Sequence, residues 1–443
     1  MPRIITSILL FLVIIYAPLA YGCTTSMGIW GLDALLLLLV VSWLLQKFEE
    51  RVRFSIPPFP ALVVLLLALL AIAQVLNPHG IFDPKTWNLR PLDGLPILPR
   101  TVDRATSLTI LPHLLILGAG FLAFVDLSQS RRIRWMIVRA VAISGLLVAV
   151  IGMVQKAAGA DALLWKHLPP GSTFFAAFRY HGHASAFLNL CWPAALALFL
   201  RSCLERKYLG RNLWGLAWLF IFGALFVNTS KFGHAAAFPL LLLSGIVFFR
   251  HLPGDWFVPS WRNLLIATAV VTVLAVLTVP TLRQTVTNWQ AHLNEGITLQ
   301  LRQMTYSTCL AMVREVPLFG FGTGSFRILF PYYTQELGTQ VKGIWSHAHE
   351  DYLETVIEWG WTGAALWACL FAPAVVRQII RSLGPKADLT GSAALVGVLA
   401  ILVHATVDFP LQIASIHFFF LIFLAFLWRS HRETDTRREE VRF

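Results

Sequence analysis

Apolar runs long enough to cross a lipid bilayer recur along this sequence, and they limit its possible folds more than any motif does. Crossing a ~30 Å hydrocarbon core takes ~20 residues of helix. Hydrophobic residues are 57% of the chain and charged residues only 13%. Such a chain satisfies its backbone in lipid as helices, so the expected fold class is all-α: a polytopic membrane protein with about twelve transmembrane helices. The candidate spans fall at 4–22, 29–46, 60–76, 107–127, 135–154, 184–203, 213–230, 235–249, 264–280, 355–377, 391–408 and 412–428, with ends good to ~2–4 residues. LAYGC at 19–23 loosely resembles a lipoprotein cleavage site. Its run is long, however, and the next span follows almost at once, so 4–22 reads as a retained first helix.

Basic residues in short loops set the orientation. Lys47, Arg51 and Arg53, then Arg131, Arg132 and Arg134, then Arg206, Lys207 and Arg211 fall on one side of a twelve-span chain. So do Arg250 and Arg262, Arg377, Arg381 and Lys386, and the tail beyond 428. By the positive-inside rule that side is the cytoplasm, which places both termini there and turns 77–106, 155–183 and 281–354 outward. The expected organisation is a nine-helix membrane region (1–280), a large periplasmic loop (281–354), three more helices (355–428) and a charged cytoplasmic tail (429–443), disordered over 431–440. The net charge of +12 follows from this asymmetry. It suits anionic membrane lipids and not nucleic acid, since no basic run is interleaved with aromatics. Five scattered cysteines without a CxxC indicate neither a zinc site nor a disulfide framework.

Ionisable groups at membrane depth are costly, so each is a functional candidate. FRYHGHASAFLNLCWP (178–193) carries Arg179, His181 and His183. Alternate residues of a helix face different ways and no acid or thiol completes a ligand set, so these read as the polar lining of an outward cavity. VNTSKFGHAAAF (227–238) breaks two spans and carries Lys231 and His234. Lys231 either snorkels to the surface or points into a cavity where it meets a phosphate.

The longest polar excursion holds the densest group of candidates. Arg302 stands near the start of a helical stretch (300–316) that offers Leu301, Met304, Thr308 and Met312 for packing. In PLFGFGTGSF (317–326), Pro317 stops that helix and Gly320, Gly322 and Gly324 allow a tight path with converging backbone N–H groups. The spacing is neither a P-loop nor a dinucleotide fingerprint, so a structural turn and a phosphate cradle both stand. HAHEDYLETVIEWGWTG (347–363) resumes as helix. His349 at its start suits a general base near neutral pH. Glu350 and Asp351 in the first turn suit capping. Glu358, beside the glycine break at 360–363, suits a supporting partner for a cation. No DxD pair is present, and no metal or other cofactor is expected.

Together these segments resemble the O-antigen ligase and O-antigen polymerase superfamily, bacterial membrane glycosyltransferases that use polyprenyl-pyrophosphate-linked glycans. The family pattern is an Arg, a P-x-x-G-x-G-x-G-x-F turn, then H-x-x-Y-L, a glutamate and G-x-x-G. Here it reads Arg302, PLFGFGTGSF, His349-Glu350-Asp351-Tyr352-Leu353, Glu358 and Gly360-Trp361-Thr362-Gly363. The resemblance is clear over 300–365 and weaker at 178–198 and at NTSKFGHAAAF, where Lys231 stands in the usual place of an arginine.

What the resemblance implies is a metal-independent, inverting transfer of a glycan from its polyprenyl pyrophosphate carrier to an acceptor hydroxyl at the periplasmic face of a bacterial inner membrane. His349 and Arg302 would be catalytic, and Arg302, Lys231 and Arg179 would hold the pyrophosphate. Gly320, Gly322, Gly324, His183, Tyr352 and Glu358 would support them. The acceptor is a lipid A core for a ligase, a protein for an O-glycosylating transferase, and another glycan for an O-antigen or exopolysaccharide polymerase. A transporter or flippase of lipid-linked glycans is the alternative from another class. It sits poorly with the absence of a sequence repeat and with polar residues gathered toward one face. A non-catalytic scaffold would tolerate replacement of Arg302 and His349.

Overall fold

A computed structural model describes residues 2–164, 166, 167, 173–248, 272, 297–340, 345–384 and 388–429. The expected ninth span (264–280) apart from residue 272, the basic residues Arg250, Arg262 and Lys386, and the charged tail at 431–440 lie outside the described residues.

Thirteen α-helices are described: α1 (Pro2–Leu19), α2 (Ser26–Glu50), α3 (Pro58–Leu76), α4 (Arg104–Leu127), α5 (Arg131–Ala157), α6 (His181–Leu204), α7 (Tyr208–Val227), α8 (Lys231–Phe248), α9 (Ile297–Glu315), α10 (Phe326–Tyr333), α11 (Asp351–Ser382), α12 (Leu389–His404) and α13 (Ala414–Trp428). Of these, α2 to α8 and α11 are long and apolar enough to cross a membrane. The apolar stretch Arg3–Leu19 of α1 and the helices α12 and α13 are shorter. Two small antiparallel hairpins occupy loops, β1 (Gly80–Asp83) with β2 (Asn88–Pro91) and β3 (Ala162–Leu163) with β4 (Lys166–His167). The protein is a multi-pass membrane protein.

Helix starts follow local chemistry. Thr25, Asp103, Ser130 and Asp388 each accept a hydrogen bond from an amide in the first turn that follows, which satisfies donors that the helix leaves unpaired. The core centres on α6, which packs against α5, α7, α8, α12 and α13. It is buried along nearly its whole length, as an apolar helix without a polar face must be. The phenylalanine run of α13 completes this centre, with Phe418 edge-on to Phe124 of α4 and Phe419 edge-on to Phe187 of α6.

Two features position the polar face. The chain leaves α12 at His404 and enters α13 at Ala414 through a turn, 405–413, at the same end as the starts of α6, α8 and α11. Helix α11 kinks at Gly360, whose φ is 69°, so its first two turns lean away from the rest of the span.

Candidate functional site

The site is built on the turn between α12 and α13. His349 precedes α11 in the left-handed region, φ 53°, a conformation that disfavours a side chain with a Cβ and needs support. The support is visible. The Tyr306 hydroxyl of α9 donates to the His349 carbonyl at 3.3 Å, and the ring stands edge-on to Trp345 and Phe409. His349 Nδ1 lies 3.2 Å from Asp408 Oδ1. An ionised carboxylate only accepts, so Nδ1 donates and Nε2 is left as the basic nitrogen. Burial pushes the Asp408 carboxyl up. The hydrogen bond from His349 and the nearby His183 and His404 outweigh it and hold the group below the usual carboxylate range.

Arg302 reaches the same turn from α9, where its Nη1 donates to the Val407 carbonyl at 3.4 Å. It lies in electrostatic range of Lys231, Tyr180, Tyr306 and His404. Burial, followed by the Asp408 charge, pushes the Tyr180 hydroxyl up to about 12, so it remains a hydrogen-bond donor.

Lys231 opens α8 and is exposed. The break ahead of it, 228–230, is tied down from both sides. Asn228 donates to the His181 carbonyl at 2.8 Å and to Ser185 at 3.0 Å, and Asn189 donates to Gly233 O at 3.1 Å. His234 turns its Nε2 toward the carbonyls of Leu225 and Asn228, so it braces the break and does not face Arg302. His183 is buried between Tyr180 and Phe409, and its Nε2 has no hydrogen-bond partner. Arg179 is exposed just ahead of α6. Thus the 405–409 turn gathers His349, Arg302 and His183, with Lys231 close to Arg302.

The two acids expected as caps diverge. Glu350 does cap α11, accepting from Leu353 N at 2.5 Å. Asp351 instead accepts from Leu411 N at 2.9 Å, while its own amide donates to Ala405 O at 3.0 Å. It staples α11 to the 405–413 turn, and the Tyr352 hydroxyl extends that seam by donating to Leu402 O at 2.7 Å. Glu354, one turn along, takes His347 Nδ1 and the Ala348 amide, each at 2.8 Å. Burial draws the His347 imidazole down, and the Glu354 charge and hydrogen bond draw it up by more, so it sits above its ordinary range.

The glycine turn is a backbone clamp. Gly320 N donates to Pro317 O, Phe321 N to Ile357 O and Gly322 N to Glu358 O, at 2.9 to 3.0 Å. Phe326 N donates to the Glu358 carboxylate at 3.2 Å. The carboxylate expected beside a cation is therefore held by the turn's own amide. A Cβ on Gly320 would come within 2.2 Å of Glu358 O, and one on Gly360 within 2.2 Å of Gly320 N. The two glycines let two main chains touch. Gly322 presses against Thr101 and Gly324 against Thr106 and Ile110, so the clamp also holds the start of α4.

Sequence reasoning missed Asp408, His404, Glu354 and Tyr306. The rule that flags ionisable groups at membrane depth applies equally to His404 and Asp408, both inside the apolar segment read as 391–408. Among the described residues no group of three or more His, Cys, Asp or Glu is arranged to hold a metal ion.

Residues 215–368, from α7 into α11, match the family model described as O-antigen ligase. Over that stretch the protein is similar to the O-antigen ligase family. The match supports the resemblance to the O-antigen ligase and polymerase superfamily. No curated protein matches the chain. The O-antigen ligase stretch includes Lys231, Arg302, the glycine turn, His349, Tyr352 and Glu358, whereas Arg179, His183 and Asp408 fall outside it.

Proposed function

We propose that this protein is an O-antigen ligase-like glycosyltransferase that moves a glycan from polyprenyl pyrophosphate to an acceptor hydroxyl at the periplasmic face of a bacterial inner membrane. The observation that carries the proposal is the shared anchorage of Arg302 and His349. Carried by α9 and by the turn ahead of α11, they fasten to adjacent residues, Val407 and Asp408.

The acceptor hydroxyl attacks the anomeric carbon as the bond to pyrophosphate breaks, and the leaving group departs with the electron pair. His349 Nε2 takes the hydroxyl proton, and Asp408 stabilises the imidazolium that results. Arg302 and Lys231 meet the charge growing on the leaving oxygens, a role that needs placed cations and no metal. A single displacement of this kind inverts the anomeric centre. Lysine supplies charge without the planar fork of arginine, so Arg302 carries the directional contact to the pyrophosphate. Arg179, exposed at the rim, is the remaining cation proposed for it. An apolar cavity between α3, α4, α11 and α13, lined by Leu67, Ala71, Phe121 and Trp367 among others, supports a lipid carrier whose tail lies between helices.

The test is transfer by purified protein from a polyprenyl-pyrophosphate glycan, in EDTA, to a lipid A core, a protein acceptor or a second lipid-linked glycan. Wild-type transfer that survives the chelator and collapses in folded His349→Ala and Arg302→Ala supports the proposal. The productive acceptor then separates ligase, protein transferase and polymerase. Absence of transfer with every pair, together with glycan flipping in liposomes, would replace it with the transporter reading.

A further inference from the structure

Four arginines meet at the end of the molecule opposite the candidate site. Arg134 comes from the first turn of α5, Arg377 and Arg381 from the end of α11, and Arg429 follows α13. Arg429 is 3% exposed. Its side chain donates to Thr390 Oγ1 at 3.2 Å and pairs with Asp388, while its carbonyl accepts from Arg377 Nη2 at 2.6 Å. Arg134, Arg377 and Arg381 all lie in repelling range of Arg429. Among the described residues, Asp388 is the one carboxylate that an ion pair joins to this group.

Arg429 is buried and Arg134, Arg377 and Arg381 are half-buried, so their charges repel more strongly than on an open surface, and one carboxylate cannot neutralise four guanidiniums. A second observation points to a ligand. Arg134 Nε and Arg381 Nη1 are buried with no hydrogen-bond partner, although Arg134 Nη1 is held by the Ser128 and Gln129 carbonyls. Buried guanidinium donors left unused match the oxygens of a phosphate, which accept in the same planar forks.

The neighbouring surface says where that phosphate comes from. Val376, Ile380 and Leu383 are 55%, 67% and 50% exposed and recur at the spacing of one helix face. A cationic recess edged by an exposed apolar strip fits a lipid, with its phosphate among the arginines and an acyl chain along α11. The basic loops mark this side as the one facing the anionic cytoplasmic leaflet. We propose that Arg134, Arg377, Arg381 and Arg429 form a binding site for the phosphodiester headgroup of an anionic phospholipid.

Native mass spectrometry of the full-length protein in detergent tests this, with phosphatidylglycerol, phosphatidylcholine and inorganic phosphate as separate arms. Wild type is expected to retain phosphatidylglycerol over phosphatidylcholine. The Arg134→Gln/Arg381→Gln variant is expected to bind it at least about tenfold more weakly, since even one lost charge-assisted hydrogen bond amounts to that. Arg131→Gln/Arg132→Gln removes the same charge from exposed positions nearby and should leave binding intact. If the first variant does not fold, Arg134→Lys/Arg381→Lys decides, and weaker binding than wild type is expected because lysine lacks the fork. Equal retention by wild type and the deciding variant would overturn the proposal. So would an equal loss in the exposed-arginine control, or displacement of the lipid by an equal concentration of inorganic phosphate.

Discussion

The glycine turn at 317–326 and the histidine turn at 345–350 both lie on the polar excursion of the chain, and they use their polar groups in opposite ways. In the glycine turn, amides face inward and are taken up by carbonyls of α11 and by the Glu358 carboxylate. In the histidine turn, one ring nitrogen of His349 is committed to Asp408, which leaves the other as the basic nitrogen. The more eye-catching motif is the scaffold, and the plainer one holds the group proposed to react. A turn that satisfies itself positions its neighbours, whereas a turn that leaves one group half-satisfied can act on something else.

The sharpest way to break this contrast is kinetic. His349→Ala or Arg302→Ala should lower transfer by at least about 10²-fold with the fold intact, as loss of a general base or a charge-stabilising cation does; assay of monodisperse variants checks it. Gly360→Ala should do the reverse. Its Cβ would overlap Gly320 N, so a stability loss of about 3 kcal/mol or more is expected with turnover per folded molecule retained, as read by thermal unfolding beside active-site titration. Asp408→Asn should fall between them. It leaves an uncharged partner for His349, and a drop of about 10- to 10²-fold in kcat with little change in KM is expected; steady-state kinetics over a pH series measure it.

The smallest effect is a pH dependence of stability. The His347 imidazole is raised in the folded state by Glu354. Its contribution is therefore complete below the unfolded histidine value of ~6.5 and fades as pH climbs through the higher folded value. The gap in thermal midpoint between wild type and Glu354→Gln should narrow as pH rises over that window. A gap that widened would mean that the pair does not hold this turn.

The sequence made the spans legible because hydropathy is a local property, and Pro317, Gly360 and the 228–230 break are visible in the same way. It also brought Arg302 and His349 forward, since the motif that contains both is contiguous. It did not bring forward Asp408, which pairs with a residue 59 positions away and looks like one more polar residue at the end of an apolar run. Asp351 shows the same limit. Its place in the first turn of a helix suggests a cap, and only the tertiary contact with Leu411 reveals a staple. Local signals report what a residue favours; which distant segment it meets is decided by packing.

Gln74 puts this dependence on distance into time. Its amide, near the end of α3, donates to Phe319 O and to Glu358 O, a partner 284 residues further along the chain. At a synthesis rate of ~5–20 residues per second, roughly 15 to 60 s separate the emergence of Gln74 from that of its acceptor. For that interval α3 sits in the bilayer with a polar side chain whose set of final partners is incomplete, so this joint of the scaffold closes only when α11 arrives.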